Sequence, residues 1–164
     1  MKISGYVVGP SRLIQRDHQE WAMRGDDVLG ARFDSASTVS LVKGEAKSRE
    51  RAYASTVREA RDGLQRTGGL PSPHSLIQFA ERLLGTEDDA LGEAILELEI
   101  DKGVRAAGVT HLMFLFAGND PSPHVIDDLL AYAGESAQRA MIVQVGAHPE
   151  FIAATFEKAI DPDA

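Results

Sequence analysis

The sequence predicts a single α/β domain in which a mixed β-sheet is flanked by helices, and three observations predict it. The first third is β-rich, helical periodicity sets in after residue 47, and the last third alternates strand and helix. No linker or low-complexity segment interrupts this order, and 164 residues suffice for one core but not for two ordinary domains.

The first strands are expected at 3–8, 27–33 and 38–46, the last (TVSLVKGEA) with β-branched residues and partial alternation, after a turn at 34–37. Tyr53, Val57, Ala60 and Leu64 then recur at helical spacing, predicting a helix over 49–66 that Gly68-Gly69 ends. A second helix is expected over 73–84, with Leu76, Ile77, Ala80, Leu83 and Leu84 inward. A third begins near Thr86, its start favoured by Glu87, Asp88 and Asp89, and runs to about 107 with an interruption at Gly103. It turns Leu91, Ala94, Ile95 and Leu98 inward. Strands at 110–117 (THLMFLFA) and 140–145 (AMIVQV) read as covered on both faces, because their apolar runs are nearly continuous. Helices at 123–136 and 149–160 follow them, with Pro123 and Pro149 near the first helical position.

Composition narrows the class. The chain is 43% hydrophobic and 26% charged, as in soluble globular proteins. No apolar stretch approaches the ~20 residues of a membrane span, and the first residues do not resemble a secretory signal. The absence of cysteine excludes disulfides and thiolate metal sites, and the cytoplasm is the expected location. Charge is divided unevenly: residues 1–86 hold 13 Lys and Arg against 10 Asp and Glu, whereas residues 87–164 hold 4 against 15. An acidic chain gains little from counterion release, so any nucleic acid must meet the N-terminal half or be delivered by a partner.

The chemistry-bearing stretch is Gly25-Asp26-Asp27-Val28, a β-type run, and then Val42-Lys43-Gly44-Glu45-Ala46-Lys47. Alternate residues of a strand share a face, so Glu45 and Lys47 are neighbours, and Asp27 at the start of the adjacent strand can lie beside Glu45. Two carboxylates suit Mg²⁺ (or Mn²⁺), a hard cation that keeps several waters, and the Ala46 carbonyl can add a ligand. Such an ion activates water and a phosphodiester, and a lysine beside that water compensates developing charge. The plain alternative is an ordinary ion pair at an exposed strand end.

Gly-x-Asp followed by Gly-Glu-x-Lys at a strand end and then a helix resembles the PD-(D/E)xK, or restriction-endonuclease-like, nuclease superfamily. More narrowly, GDD and VKGEAKSRERAYASTVREARDGL resemble the HamA-like nuclease subunit of the Hachiman antiphage system, in which a nuclease works with a helicase. The similarity extends loosely through THLMFLFAG and AMIVQVG, covering roughly residues 20–150. It implies that Asp27 and Glu45 bind metal and that Lys47 positions the water. Asp26 competes with Asp27 for the first carboxylate, and Glu20 is the candidate for a further acidic ligand on a preceding helix. The shorter N-terminal region than in these relatives leaves open a reduced site or one completed by a partner.

The basic run near the proposed site offers nucleic-acid contacts: Lys43, Arg49, Arg51 and Arg58, with Arg61 at helical spacing from the last two and Arg66 beyond. A solvated helix face paired with Glu50, Glu59 and Asp62 is the alternative. Pro71-Ser72-Pro73-His74 recurs as Pro121-Ser122-Pro123-His124, which helix-start chemistry explains without a histidine pair. His18, His111 and His148 are expected to be structural, and Trp21 to pack in the core.

The resulting expectation is a Mg²⁺-dependent DNA endonuclease in phage defence, with a helicase-type or other protein partner, or a homo-oligomer, restraining it. Two rivals are a non-catalytic scaffold or regulatory subunit of the same fold, and a small-molecule or nucleotide-binding α/β domain using Gly118-Asn119-Asp120. No GxGxxG or Walker-type loop supports the last.

Overall fold

One strand, Val39–Arg49, joins an antiparallel half of the sheet to a parallel half. The computed structural model describes residues 2–3, 5–8, 16–18, 21–22, 25–34 and 38–160. Among these, the strands in chain order are β1 (Lys2–Ile3), β2 (Tyr6–Val8), β3 (Arg16–His18), β4 (Trp21–Ala22), β5 (Val28–Phe33), β6 (Val39–Arg49), β7 (Val109–Ala117) and β8 (Ala137–Gln144). The helices are α1 (Ala54–Gln65), α2 (Pro73–Leu83), α3 (Asp89–Glu97), α4 (Ser122–Ala131) and α5 (His148–Ile160). The main sheet has the order β1-β2-β5-β6-β7-β8, while β3 and β4 pair apart from it. Each neighbouring pair among β1, β2, β5 and β6 is antiparallel, and β6, β7 and β8 are parallel. This is the expected α/β class, a mixed sheet flanked by helices, and it is consistent with a restriction-endonuclease-like fold.

Four helices cover the same sheet face. Leu76, Phe79, Leu91 and Ile95 from α2 and α3 pack on Leu29, Ala31, Leu41 and Val109. Beside them, Val57, Ala60 and Leu64 of α1 and Val125 of α4 close over Met113 and Leu115. Apolar side chains at helical spacing meet alternate residues of the strands, and removal of this surface from water drives the packing.

Several expectations are corrected. Strand β7 is covered unevenly, its burial alternating residue by residue, and β8 is an edge strand with a largely exposed pattern. On the second face α5 contributes Phe151, whose ring lies 5.4 Å from Phe116. The apolar runs therefore mark a sheet that is half-buried on that side rather than enclosed. The expected strand at 3–8 is a tight hairpin, β1 and β2 turning at Gly5 with φ +79°.

The expected helix 49–66 starts five residues late because β6 stays paired with β7 as far as Arg49↔Ala117. Asn119 then fixes the bend: its Oδ1 accepts from Ala52 N–H at 2.7 Å and its Nδ2 donates to Ala52 O at 2.9 Å. Tyr53 consequently lies at the exposed N-cap rather than on the buried face. Ile77 of α2 and Leu84 just after it, both expected inward, are exposed, and Ser75 and Phe79 are buried beside Leu76, Ala80 and Leu83. The third helix ends as a π-turn at Leu98–Lys102, and Gly103, at φ +72°, stops it.

Candidate functional site

Glu45 and Lys47 stand on the helix-covered face. Register pairs Lys43 with His111, Glu45 with Met113 and Lys47 with Leu115, so these six side chains share one side of the sheet. Glu45 is buried, yet its Oε1 lies 2.5 Å from Lys47 Nζ, and Lys47 retains 17% side-chain exposure, enough to reach solvent from the edge of the site. The room for the carboxylate comes from Gly63 of α1. A Cβ at that position would fall 2.2 Å from Glu45 Cδ and 2.5 and 2.6 Å from its oxygens. A helix-interior glycine costs helix stability, so an isolated Gly63 in the sequence is a signal of close approach.

Asp27 lies one step beyond the last ladder pair of β5 and β6, Val28↔Gly44, at the level of Glu45. Its Oδ2 accepts from the backbone N–H of Ala46 at 3.2 Å, which ties the carboxylate to β6. Asp26 faces other partners. Its Oδ2 accepts from Ser72 N–H at 2.8 Å, its backbone N–H donates to Ser75 Oγ at 3.2 Å, and its Oδ1 is 3.6 Å from Lys43 Nζ. Adjacent aspartates thus do different work: Asp26 docks the start of α2 and balances a buried lysine, and Asp27 stands with Glu45. Glu20, and the side chains of His18 and Trp21, lie outside the described residues.

Lys43, expected to meet nucleic acid, is corrected: it is 2% exposed. Its ammonium donates to Arg66 O at 2.6 Å, Leu70 O at 2.8 Å and Thr67 Oγ1 at 3.3 Å. Burial lowers its pKa, against the opposing pull of Asp26 and Glu45. Neighbouring His111 is fully buried between Gly69 O, 2.7 Å from Nε2, and Gln138 Nε2, 3.1 Å from Nδ1. Gln138 is oriented by Arg61, whose Nη1 donates to Oε1 at 2.7 Å, so Gln138 presents its amide N–H to Nδ1 and His111 donates from Nε2. Burial lowers the His111 pKa as well.

Arg61 is likewise committed inside the fold. Its guanidinium grips Asp128 of α4, with Nη2–Oδ2 at 2.5 Å and Nε–Oδ2 at 3.1 Å, and lies over the Tyr132 ring. Arg49 is exposed and pairs with Glu59 at 3.0 Å, while Arg51 and Arg58 are exposed. Arg66 is 62% exposed, with Nη2 3.9 Å from Glu45 Oε1.

The histidines of the repeated Pro-Ser-Pro-His are exposed on α2 and α4. Ser72 caps α2 as expected, accepting from Ser75 N–H at 3.2 Å with Pro73 at the helix start. The second copy is shifted: Asp120 Oδ1 accepts from Ser122 N–H at 2.9 Å, and α4 begins at Ser122. His148 is buried at the start of α5, its Nε2 2.9 Å from Ser48 Oγ. Of Gly118-Asn119-Asp120, the first two residues line a cleft of about 500 Å³ together with Arg51, Tyr53 and Glu150, although the Asn119 amide is engaged by Ala52.

A magnesium-type ion fits the donors at Glu45 in kind and number. Two hard carboxylates, Asp27 and Glu45, are held by backbone and lysine contacts, and Gly63 keeps space at the second of them. Among the described residues no group of three or more His, Asp or Glu side chains is placed to hold a metal ion. No helix among the described residues is long and apolar enough to cross a membrane.

No curated protein matches the chain. The HamA family model matches residues 3–159, a span that contains both sheet halves and every residue of the site, and the chain belongs to the HamA family.

Proposed function

We propose that the protein is a metal-dependent DNA endonuclease of the PD-(D/E)xK type, acting in the cytoplasm in antiphage defence. The observation that carries this reading is the Glu45–Lys47 pair at 2.5 Å on one strand, with Asp27 held against the same strand through Ala46 N–H. Membership of the HamA family supports the defence role.

Asp27 and Glu45 would hold Mg²⁺ or Mn²⁺, whose chemistry is to polarise the phosphodiester and lower the pKa of a bound water. The remaining work falls to the chain. Burial of Glu45 under α1 strengthens its electrostatics, and the Ala46 N–H fixes the Asp27 rotamer. The Lys47 ammonium, anchored on Glu45, directs its remaining N–H groups toward the attacking water and developing charge on phosphate. Arg51 and Arg58 are exposed in the same half of the chain and are suited to phosphates further along the strand.

The acidic C-terminal half is ill suited to DNA, and it leaves a surface for a helicase-type partner or a second copy of the chain to deliver substrate and restrain cutting. The test is cleavage of plasmid and linear DNA with Mg²⁺ or Mn²⁺ by wild type, Glu45→Ala and Lys47→Ala. Loss of cleavage in both variants is expected. Equal cleavage by all three removes the assignment of this site, and no cleavage by wild type under either metal leaves a non-catalytic scaffold.

A further inference from the structure

The turn that follows α1 is built more firmly than an exposed arginine requires. Thr67 takes φ +55°, a left-handed conformation uncommon for a residue with a Cβ, and Gly68 and Gly69 continue it at +67° and +80°. Two donors make four hydrogen bonds to its carbonyls and hydroxyl. Lys43 Nζ reaches Arg66 O, Thr67 Oγ1 and Leu70 O, and His111 Nε2 donates to Gly69 O at 2.7 Å. Both donors rise from the sheet face that carries Glu45 and Lys47, one ladder step away.

The first residue of this turn is Arg66. Its backbone oxygen is the closest acceptor of Lys43, at 2.6 Å, and its guanidinium stands 3.9 Å from Glu45 Oε1 with 62% of the side chain exposed. An ion pair this long and this exposed contributes little to folding. The turn therefore does something other than secure a salt bridge: it holds a guanidinium beside the Glu45 carboxylate with most of the side chain exposed.

The geometry points to Arg66 as a substrate-binding residue of this site, its guanidinium contacting non-bridging oxygens of a nucleic-acid phosphate beside Glu45, with Lys43 and His111 as the residues that position it. The inference rests on the nuclease reading and names a residue that this reading does not require. A planar fork of donors matches a phosphate bidentately, and neither lysine of the strand offers that. Lys47 is turned onto Glu45, and Lys43 is saturated by carbonyls.

The test uses the full chain and a short DNA duplex. Binding is measured without divalent metal by fluorescence anisotropy over a salt series, and single-turnover cleavage is then followed with Mg²⁺ or Mn²⁺. Arg66→Ala is expected to reduce the slope of log affinity on log salt by about 1, the loss of one phosphate contact. It is also expected to slow cleavage about 100-fold, as when a group facing developing charge is removed. Arg66→Lys should recover the slope but only part of the rate. The thermal midpoint of Arg66→Ala should match wild type, because the side chain is exposed. A wild-type slope and rate in Arg66→Ala, beside an inactive Glu45→Ala, overturn the Arg66 assignment alone. Wild-type cleavage by Glu45→Ala, or no binding of the wild-type chain at any salt, overturns both readings.

Discussion

Gly63 of α1 and the Glu45 carboxylate of β6 occupy adjoining space so closely that a methyl group at residue 63 would sit 2.2 Å from Glu45 Cδ. The helix thus forms the roof of the site, and its glycine sets where the carboxylate rests. Gly63→Ala should reveal this by reversing the usual sign. Alanine in a helix interior normally gains about 1 kcal/mol over glycine, whereas overpacking a filled space costs about 1–3 kcal/mol. Urea denaturation should show a net loss of up to about 2 kcal/mol, with cleavage reduced as Glu45 shifts. In a Glu45→Ala background the same change should become neutral or stabilising. Simple additivity of the two changes would show that the residues do not share the space.

Asp26 and Asp27 should separate cleanly by phenotype. Asp26→Ala leaves the Lys43 ammonium buried without its carboxylate, and loss of one partner of a buried pair costs about 3–5 kcal/mol. Replacing Lys43 by Met in that variant should recover part of the loss. Asp27→Asn keeps an oxygen for Ala46 N–H and should change stability by less than about 1 kcal/mol. Its cleavage should nonetheless fall by at least about 100-fold, the upper end of what loss of a residue supporting a metal site costs. Calorimetric or denaturant stabilities set beside cleavage rates check both halves; a stable, active Asp27→Asn would remove Asp27 from the site.

The Glu45-Ala46-Lys47 pattern was legible because strand alternation is local: two side chains on one face need only a strand between them. The same alternation put Lys43 on that face, but charge alone suggests solvent for it. What buries Lys43 is the folding back of Arg66 and Leu70, more than 20 residues away, and no local pattern announces that. Helix α1 illustrates the same division. Its buried Val57, Ala60 and Leu64 follow from periodicity, whereas its start is set by β7 and by the Asn119 amide on Ala52, which are distant in sequence. The sequence favours Asp27 over Asp26 because it directly precedes Val28-Leu29, but the partners that claim Asp26, Ser72 and Ser75 of the α2 start, are more than 40 residues away.

Acidification should weaken the fold through His111. Burial holds its folded-state pKa below the ordinary 6.5, so the unfolded chain binds the proton more readily. Its contribution is full above pH 6.5 and is lost as pH falls through the lowered folded value. Protonation also places an N–H against the Gln138 amide N–H, which Arg61 prevents from turning. Thermal midpoints measured below pH 6.5 should therefore fall in wild type. In His111→Phe they should be lower at neutral pH but flatter with pH. An equal pH slope in the variant would assign the effect to another group.

Arg61 and Arg58 sit three residues apart on α1 and should behave in opposite ways. Arg61 ties α1 to Asp128 of α4 and to Gln138 of β8 with 13% of its side chain exposed. That burial lies between surface pairs worth about 0–1 kcal/mol and buried ones whose disruption costs about 3–5 kcal/mol. Arg61→Ala should then destabilise by about 2 kcal/mol, and Arg61→Ala with Asp128→Ala by less than the sum of the single changes. Its DNA affinity, measured below the shifted midpoint, should keep the wild-type salt dependence, because the guanidinium faces protein. Arg58 is exposed, and Arg58→Ala should leave stability unchanged within about 0.5 kcal/mol while flattening the salt dependence. The helix would then present one arginine to its own fold and another to phosphate. A flattened salt dependence in Arg61→Ala would instead mean that Asp128 releases its partner when DNA arrives.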